Sequence, residues 1–346
     1  MIIPLYNFNS TVLLMVLKYF VVIIVFLLST CVDVQNTLPL PPSNDDSFLE
    51  DFLGNSISSS SLRTPYVVVL GIAQDAGFPQ IGCEKEQCKR YWQGEVGPRH
   101  ASSIALVDPS NQSTWIFDAT PDIKYQLQAL KHQVPGYSLE GIFLTHAHIG
   151  HYTGLMQLGH EAMGAKEVPV FAMPKMANFL KSNGPWSQLV NYRNIILNGL
   201  QADRPTFLTS ELSVTPFLVP HRDEYSETVG YKIQHGETSL LYIPDINKWE
   251  LWEKSIEEEI LKVDYALLDG TFYDSSELPG RDMSEIPHPF IQESIQRFSK
   301  LGPTEKQKII FTHFNHTNPL ILDNPERDDV ISLGYRVAEE GLVIIL

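Results

Sequence analysis

Two hydrophobic periods alternate along most of this chain. The run Tyr66–Ala73 (YVVVLGIA) is apolar and rich in β-branched residues, which predicts a buried strand. Ser103–Val107 and Thr114–Phe117 flank the turn-forming Asp108-Pro109-Ser110-Asn111 and predict a hairpin. Asp122–His132 follows Pro121 and repeats its apolar residues at helical spacing. The alternation continues with strand Gly141–Leu144, helix His151–Met163, strand Val168–Met173 and helix Pro174–Ser182. Strands Ser213–Val219, Val229–Gln234 and Ser239–Ile243 come next, then helix Trp249–Leu261 and strand Tyr265–Leu268. Helix Pro289–Leu301, strand Ile309–Thr312, a helical stretch around Arg327–Glu340 and strand Leu342–Leu346 complete the series. Such interleaving predicts an α/β or mixed class, with one folded domain over residues 63–346 and no internal repeat.

The first 62 residues follow other rules. Lys18 precedes the apolar core Tyr19–Leu28, which exits through Ser29-Thr30-Cys31, the layout of a secretory signal over residues 1–31. The core is short for a membrane span, although the stretch from Thr11 reaches bilayer length if Lys18 snorkels. Leu28-Ser29-Thr30-Cys31 resembles a bacterial lipobox, which makes Cys31 the lipidation site, with Thr30 where Gly or Ala is usual. Translation from Met15 would give a compact signal. Residues 32–62 are rich in Pro, Ser, Asn and Asp and read as a flexible tether. The expectation is an exported protein, lipid-anchored to a membrane or periplasmic.

Charge narrows the partners. Lys plus Arg total 25 against 41 Asp plus Glu, a formal net charge of −16, and no basic run interrupts it. Nucleic acid is therefore not expected as a partner, and a small-molecule substrate is. Three cysteines are too few for a disulfide scaffold.

Chemistry concentrates in Thr145-His146-Ala147-His148-Ile149-Gly150-His151. In extended backbone His146 and His148 project to one side, and Gly150 permits a bend that brings His151 back. Imidazole is the commonest neutral ligand for divalent transition metals, and such a metal needs at least three protein ligands. Further candidates stand just after predicted strands: His221, Asp245 and His313. Asp75, Asp118 and Asp269 also stand at strand ends. Asp75 and Asp118 are candidates to fix histidine tautomers or, equally, to serve as a turn residue and a helix cap. Arg222 could bind an anionic group or pair with Asp223, Glu224 or Glu227. His288 could reach the site or merely open a helix. His132, His160 and His235 receive no role, and His100 stays unassigned.

HAHIGH, then Pro-His, then a strand-end Asp and a strand-end His together resemble the metallo-β-lactamase superfamily over nearly all of residues 65–346. Segments GIAQDAGFPQIGC (71–83), DATPD (118–122), VPHRDEYSETVGY (219–231) and LLDGTFYD (267–274) resemble, within it, the branch of pyrroloquinoline quinone (PQQ) biosynthesis protein B and of a phosphonate-pathway cyclic phosphodiesterase. The resemblance implies a four-layer αββα sandwich in a single catalytic domain. It also implies two metal sites: His146, His148 and His221 for the first, His151 and His313 for the second, and Asp245 as the bridge. Asp245 and His151 are then catalytic candidates as well as ligands. Gly150 departs from the superfamily's Asp, which leaves the second site to His151, Asp245 and His313. On that reading the second metal binds more weakly, and Gly150→Asp should strengthen it. One or two Zn²⁺ are expected, with Fe²⁺ or Mn²⁺ as alternatives. Relatives in the phosphodiesterase branch hold a structural zinc with a cysteine cluster and a distant His. Here only Cys83, Cys88 and His316 match, so either a metal or a Cys83–Cys88 disulfide is open.

Three functions follow. The first is a metal-dependent hydrolase of an ester or phosphodiester. The second is an iron-dependent oxidative enzyme of PQQ synthesis, and the third a non-catalytic binding member of the fold. Export favours the hydrolase, and β-lactam hydrolysis has no support beyond the superfamily motif. The loop Ser275–His288 is expected to cover the cleft.

Overall fold

The computed structural model describes residues 63–282 and 285–346. The signal, the candidate lipidation site Cys31, the alternative start at Met15 and the tether lie outside the described residues. Two seven-stranded sheets carry the architecture. The first contains β1 (Tyr66–Gly71), β2 (Ser103–Asp108), β3 (Ser113–Phe117), β4 (Ser138–Phe143), β5 (Val168–Ala172), β6 (Ile195–Gly199) and β14 (Val343–Ile345), in the order β14-β1-β2-β3-β4-β5-β6. The second contains β7 (Thr206–Phe207), β8 (Leu212–Leu218), β9 (Val229–His235), β10 (Thr238–Ile243), β11 (Tyr265–Asp269), β12 (Ile309–Thr312) and β13 (Arg336–Val337), in the order β13-β12-β11-β10-β9-β8-β7.

The side-chain period of two explains why β1 is apolar throughout. Val67 and Val69 face the second sheet, in a core that includes Ile104, Phe117, Tyr231, Leu240 and Ile310. Tyr66, Val68 and Leu70 face outward and pack with Ala129 and Leu130 of the helix Ile123–Gln133. Helices Pro174–Ser182 and Trp186–Asn191 cover the β4–β5–β6 end of the same sheet through Met176, Leu180 and Leu189. Ile256, Ile260, Ile291 and Phe298, from helical segments of the later half, join the core on the second sheet. The layers are thus helix, sheet, sheet, helix, and the αββα expectation holds.

Several boundaries move. The predicted helix His151–Met163 is a short helix Ile149–Tyr152 continued as a 3-10 turn to Leu158, with Gly154 and Gly159 interrupting it. Trp249–Leu261 breaks into a 3-10 turn (Trp249–Leu251) and a helix Ile256–Leu261. Ser255 starts the latter by accepting a hydrogen bond from the Glu258 N–H. Pro289–Leu301 shortens to Ile291–Arg297 plus one 3-10 turn. Around Arg327–Glu340 the helix is Pro325–Ser332, and Gly334, at φ +94°, ends it before the short β13. Strands β6 and β7 and helices Glu86–Trp92, Trp186–Asn191 and Pro303–Lys308 carry no strong period in the sequence.

Candidate metal centre

Strand ends from both sheets converge here. Leu144-Thr145 lead from β4 to His146, and Val219-Pro220 from β8 to His221; Pro244 leads from β10 to Asp245, and His313 directly follows β12. The sheets are tied together beside the site. Tyr231 on β9 donates its hydroxyl hydrogen to the Leu144 carbonyl, and the Val229 N–H donates to the Thr145 carbonyl at 3.1 Å.

A first group forms around His148. Its Nδ1 lies 2.8 Å from His146 Nε2 and 3.2 Å from His221 Nε2. Asp245 closes the group, with Oδ2 3.3 Å from His146 Nε2 and Oδ1 3.2 Å from His221 Nε2. All four ligand atoms lie within 4.8 Å of one another. A neutral imidazole nitrogen turned toward another has only a lone pair unless a proton or a cation lies between them. This donor set suits a divalent metal ion. A second group comprises Asp75, His151 and His313. Asp75 Oδ1 and Asp245 Oδ2 are each 3.7 Å from His151 Nε2, so Asp245 faces both groups. Asp75 Oδ1, His151 Nε2, His313 Nε2 and Asp245 Oδ1 are buried and make no hydrogen bond. Buried polar atoms are rarely left so, and these four gather where a cation would satisfy them.

The opposite ring nitrogens are all engaged. His151 Nδ1 donates to Asp118 Oδ2 at 2.7 Å; His146 Nδ1 lies 3.0 Å from Thr145 Oγ1, His221 Nδ1 3.1 Å from Asn247 Oδ1 and His313 Nδ1 2.9 Å from Thr271 Oγ1. Such outer contacts fix ring orientation and leave Nε2 as the ligating atom. Asp118, fully buried at the end of β3, also accepts from the Thr145 N–H and hydroxyl. Asp269, at the end of β11, accepts from His288 Nδ1 at 2.9 Å, from the Ile246 N–H and from Thr271. His288 Nδ1 is also 3.2 Å from Asp245 Oδ1.

Electrostatics favours a cation. Burial opposes charge on His151, yet Asp118, Asp75 and Asp245 push its pKa up to about 9. Burial likewise opposes charge on His288, and Asp269 with Asp245 carries it up to about 9. Burial would raise Asp245, but His221 and His288 hold it well below the usual carboxylate range. Burial, together with charge on His151, keeps His146 well below its ordinary value, and burial lowers His148 and His313. The carboxylates thus hold a negative field in a buried pocket, which raises His151 and His288, while His146, His148 and His313 line it as neutral imidazoles.

Every ligand candidate from the sequence arrives at this centre, as do Asp118, Asp269 and His288. Arg222 does not. Its side chain is exposed and pairs with Glu224 at 3.8 Å, so nothing directs it at the cleft as an anion binder. His100 is buried against Glu340, 3.2 Å away, on the other flank of β1. Thr145, Asn247, Thr271 and Glu224 escaped sequence reasoning. Each is a small or acidic polar residue within two of a strand end or three of a ligand, too common a pattern to single out. The expected gain from Gly150→Asp is overturned by packing. A Cβ at Gly150 would stand 2.3 Å from Asp75 Cα and 2.4 Å from Asp75 Oδ1, closer than real atoms approach.

Cys83 and Cys88 are free thiols. Their sulfurs and a His316 nitrogen lie within 4.8 Å of one another, so the arrangement offers three metal ligands. Burial, and then a hydrogen bond with Cys83, pushes Cys88 up to about 11.

A family model described as "Beta-lactamase superfamily domain" matches residues 114–314, more than half of the chain. The chain belongs to the β-lactamase superfamily. Coenzyme PQQ synthesis protein B of Methylorubrum extorquens (strain PA1) is 28% identical over 311 residues, covering 81% of this chain and 100% of the relative. Its counterpart from Acinetobacter baylyi is 29% identical over 310 residues, covering 80% of this chain and 99% of the relative. Among solved structures, Zn²⁺-bound PqqB from Methylobacterium extorquens superposes with a TM-score of 0.69 at 26% identity, over 81% of this chain and 100% of the other. A diphosphatase from the PhnP family shares the fold, with a TM-score of 0.58 at 21% identity over 82% of this chain and 97% of the other. The superfamily fold expected from the sequence stands, and the expected resemblance to PQQ synthesis protein B is found at 28–29% identity.

Proposed function

We propose that this chain is a metal-dependent hydrolase of a phosphodiester or ester. The observation that carries the reading is Asp245 facing two groups of imidazoles whose rings are locked from behind. His146, His148, His221 and Asp245 would hold one ion, and His151, His313 and Asp245 belong to a second position. A divalent ion there would supply Lewis-acid stabilisation and a water acidified to a pKa of about 7, and the Zn²⁺-bound relative supports the choice of zinc. Asp245, held strongly ionised, is a weak base and serves to orient the attacking water. His288 is pinned through Nδ1 by Asp269, which with Asp245 raises its pKa to about 9, and it is the residue assigned to protonate the departing alkoxide. Substrate has room beside the first group. A cavity of about 570 Å³ is lined by Pro174, Lys175, Phe179, Asp223, Glu224 and Tyr225, and Glu224 Oε2 is 3.3 Å from His148 Nε2.

The test is hydrolysis by the zinc-loaded protein of bis(p-nitrophenyl) phosphate and of p-nitrophenyl carboxylate esters, with chelated protein and His148→Ala as controls. Turnover of either ester class that both controls abolish is expected. Turnover of neither, by protein that holds its zinc, would overturn the reading. The relatives named for coenzyme PQQ synthesis favour a second reading, an oxidative step with iron. One iron per chain after purification without chelators, and no ester hydrolysis, would select it. The signal-like segment 1–31 supports a further proposal: export, with Cys31 lipidated and a membrane as the resulting partner.

A further inference from the structure

We infer that Asp75 supplies the carboxylate ligand of the second metal position, taking from a different strand end the place that a residue at 150 would otherwise fill. The inference rests on the metal-centre reading and adds a ligand to it. Three observations carry it. First, the position is already filled: a Cβ on Gly150 would stand 2.3 Å from Asp75 Cα and 2.4 Å from its Oδ1, so Asp75, backbone and carboxylate together, occupies the space a side chain at 150 would use. Second, Asp75 Oδ1 is buried without a hydrogen-bond partner, and so are His151 Nε2 and His313 Nε2, whose residues are 1% and 0% exposed. These three atoms lie within 4.8 Å of one another. Leaving all three unsatisfied is costly, and one cation answers all of them.

Third, Asp75 is built in place. Its φ is +32°, a backbone conformation uncommon outside glycine and tolerated best by Asp and Asn. The segment before it is tied to the residue after His313. The Gln74 N–H donates to the Phe314 carbonyl at 2.8 Å, and the Phe314 N–H donates to the Ile72 carbonyl at 2.7 Å. Asp75 and His313 therefore keep their spacing as one unit, although they stand far apart in sequence and on different sheets. A turn-stabilising role would leave Oδ1 bonded to a nearby backbone N–H, and it is bonded to none.

The experiment counts zinc by plasma mass spectrometry and measures zinc affinity by chelator competition in three full-length chains. These are wild type, Asp75→Asn and His148→Ala. Asp75→Asn is isosteric, so the fold is retained. It should bind one zinc fewer than wild type, or bind the weakest zinc at the centre at least ~10-fold less tightly. Wild-type count and affinity in Asp75→Asn would overturn the inference alone, provided His148→Ala loses an ion. If His148→Ala also keeps the wild-type count, the metal-centre reading falls with it.

Discussion

The two halves of the metal centre are assembled differently. The first draws His146 and His148 from one short strand-end segment, and both were legible as a pair because extended backbone puts i and i+2 on one side. The second joins the turn after β1 (Asp75), the helix Ile149–Tyr152 (His151) and the end of β12 (His313), and is tied by backbone hydrogen bonds from the Gln74 N–H to the Phe314 carbonyl and from the Phe314 N–H to the Ile72 carbonyl. Glu224, in the wall of a cavity, lies 3.3 Å from His148 Nε2 at the first half. In the second half His151 and His313 are buried and Asp75 is half-buried. Only the His146–His148 pair is specified locally; both halves are completed across the two sheets, the first by His221 and Asp245 and the second by His313.

The largest effect separates the halves. His148→Ala should lower hydrolysis on the order of 1000-fold. The second group should retain its zinc, as read by metal count; equal loss from both groups would show that they are one cooperative site. Next, His288→Gln should lower kcat on the order of 100-fold with zinc content unchanged. An unchanged kcat at saturating substrate would remove His288 from proton donation. Asp118→Asn removes the charged acceptor behind His151 Nδ1. It should weaken zinc in the second group by about 10-fold and spare the first, measured by the same chelator competition.

The smallest effect concerns the wall behind His313. Glu277 accepts hydrogen bonds from Thr317 and Asn315, close after His313, and from the Tyr273 N–H. Burial pushes its carboxyl from 4.5 up to about 7. The folded chain thus binds a proton that the unfolded chain has released. The associated stability is complete below about pH 4.5 and is lost as pH rises through about 7. Glu277→Gln should flatten this part of the denaturation profile between pH 4.5 and 7, and an unaltered slope would place the titration elsewhere.

Strand periods in the sequence located most of both sheets because β1, β10, β11 and β12 are buried on two faces or nearly so, as is the second half of β4. The edge strands β6 and β7 were not legible, since their side chains are half exposed and their patterns weak. His146, His148, His151, His221, Asp245 and His313 were legible by residue type and strand-end position together with the family resemblance. Asp75 was visible only as an outer carboxylate or a turn residue. Gly150 looked like a missing ligand because nothing in a linear chain shows that two loops compete for one space. Asn247 and Thr271 were invisible for a related reason: they act on rings contributed by other segments.

The most direct measurement is anomalous diffraction at the zinc edge from crystals of the zinc-loaded protein. Two peaks on either side of Asp245, the second within about 2.0–2.2 Å of a carboxylate oxygen of Asp75, are the predicted result. A single peak among His146, His148 and His221, with Asp75 hydrogen-bonded elsewhere, would contradict the two-sided centre described for this chain.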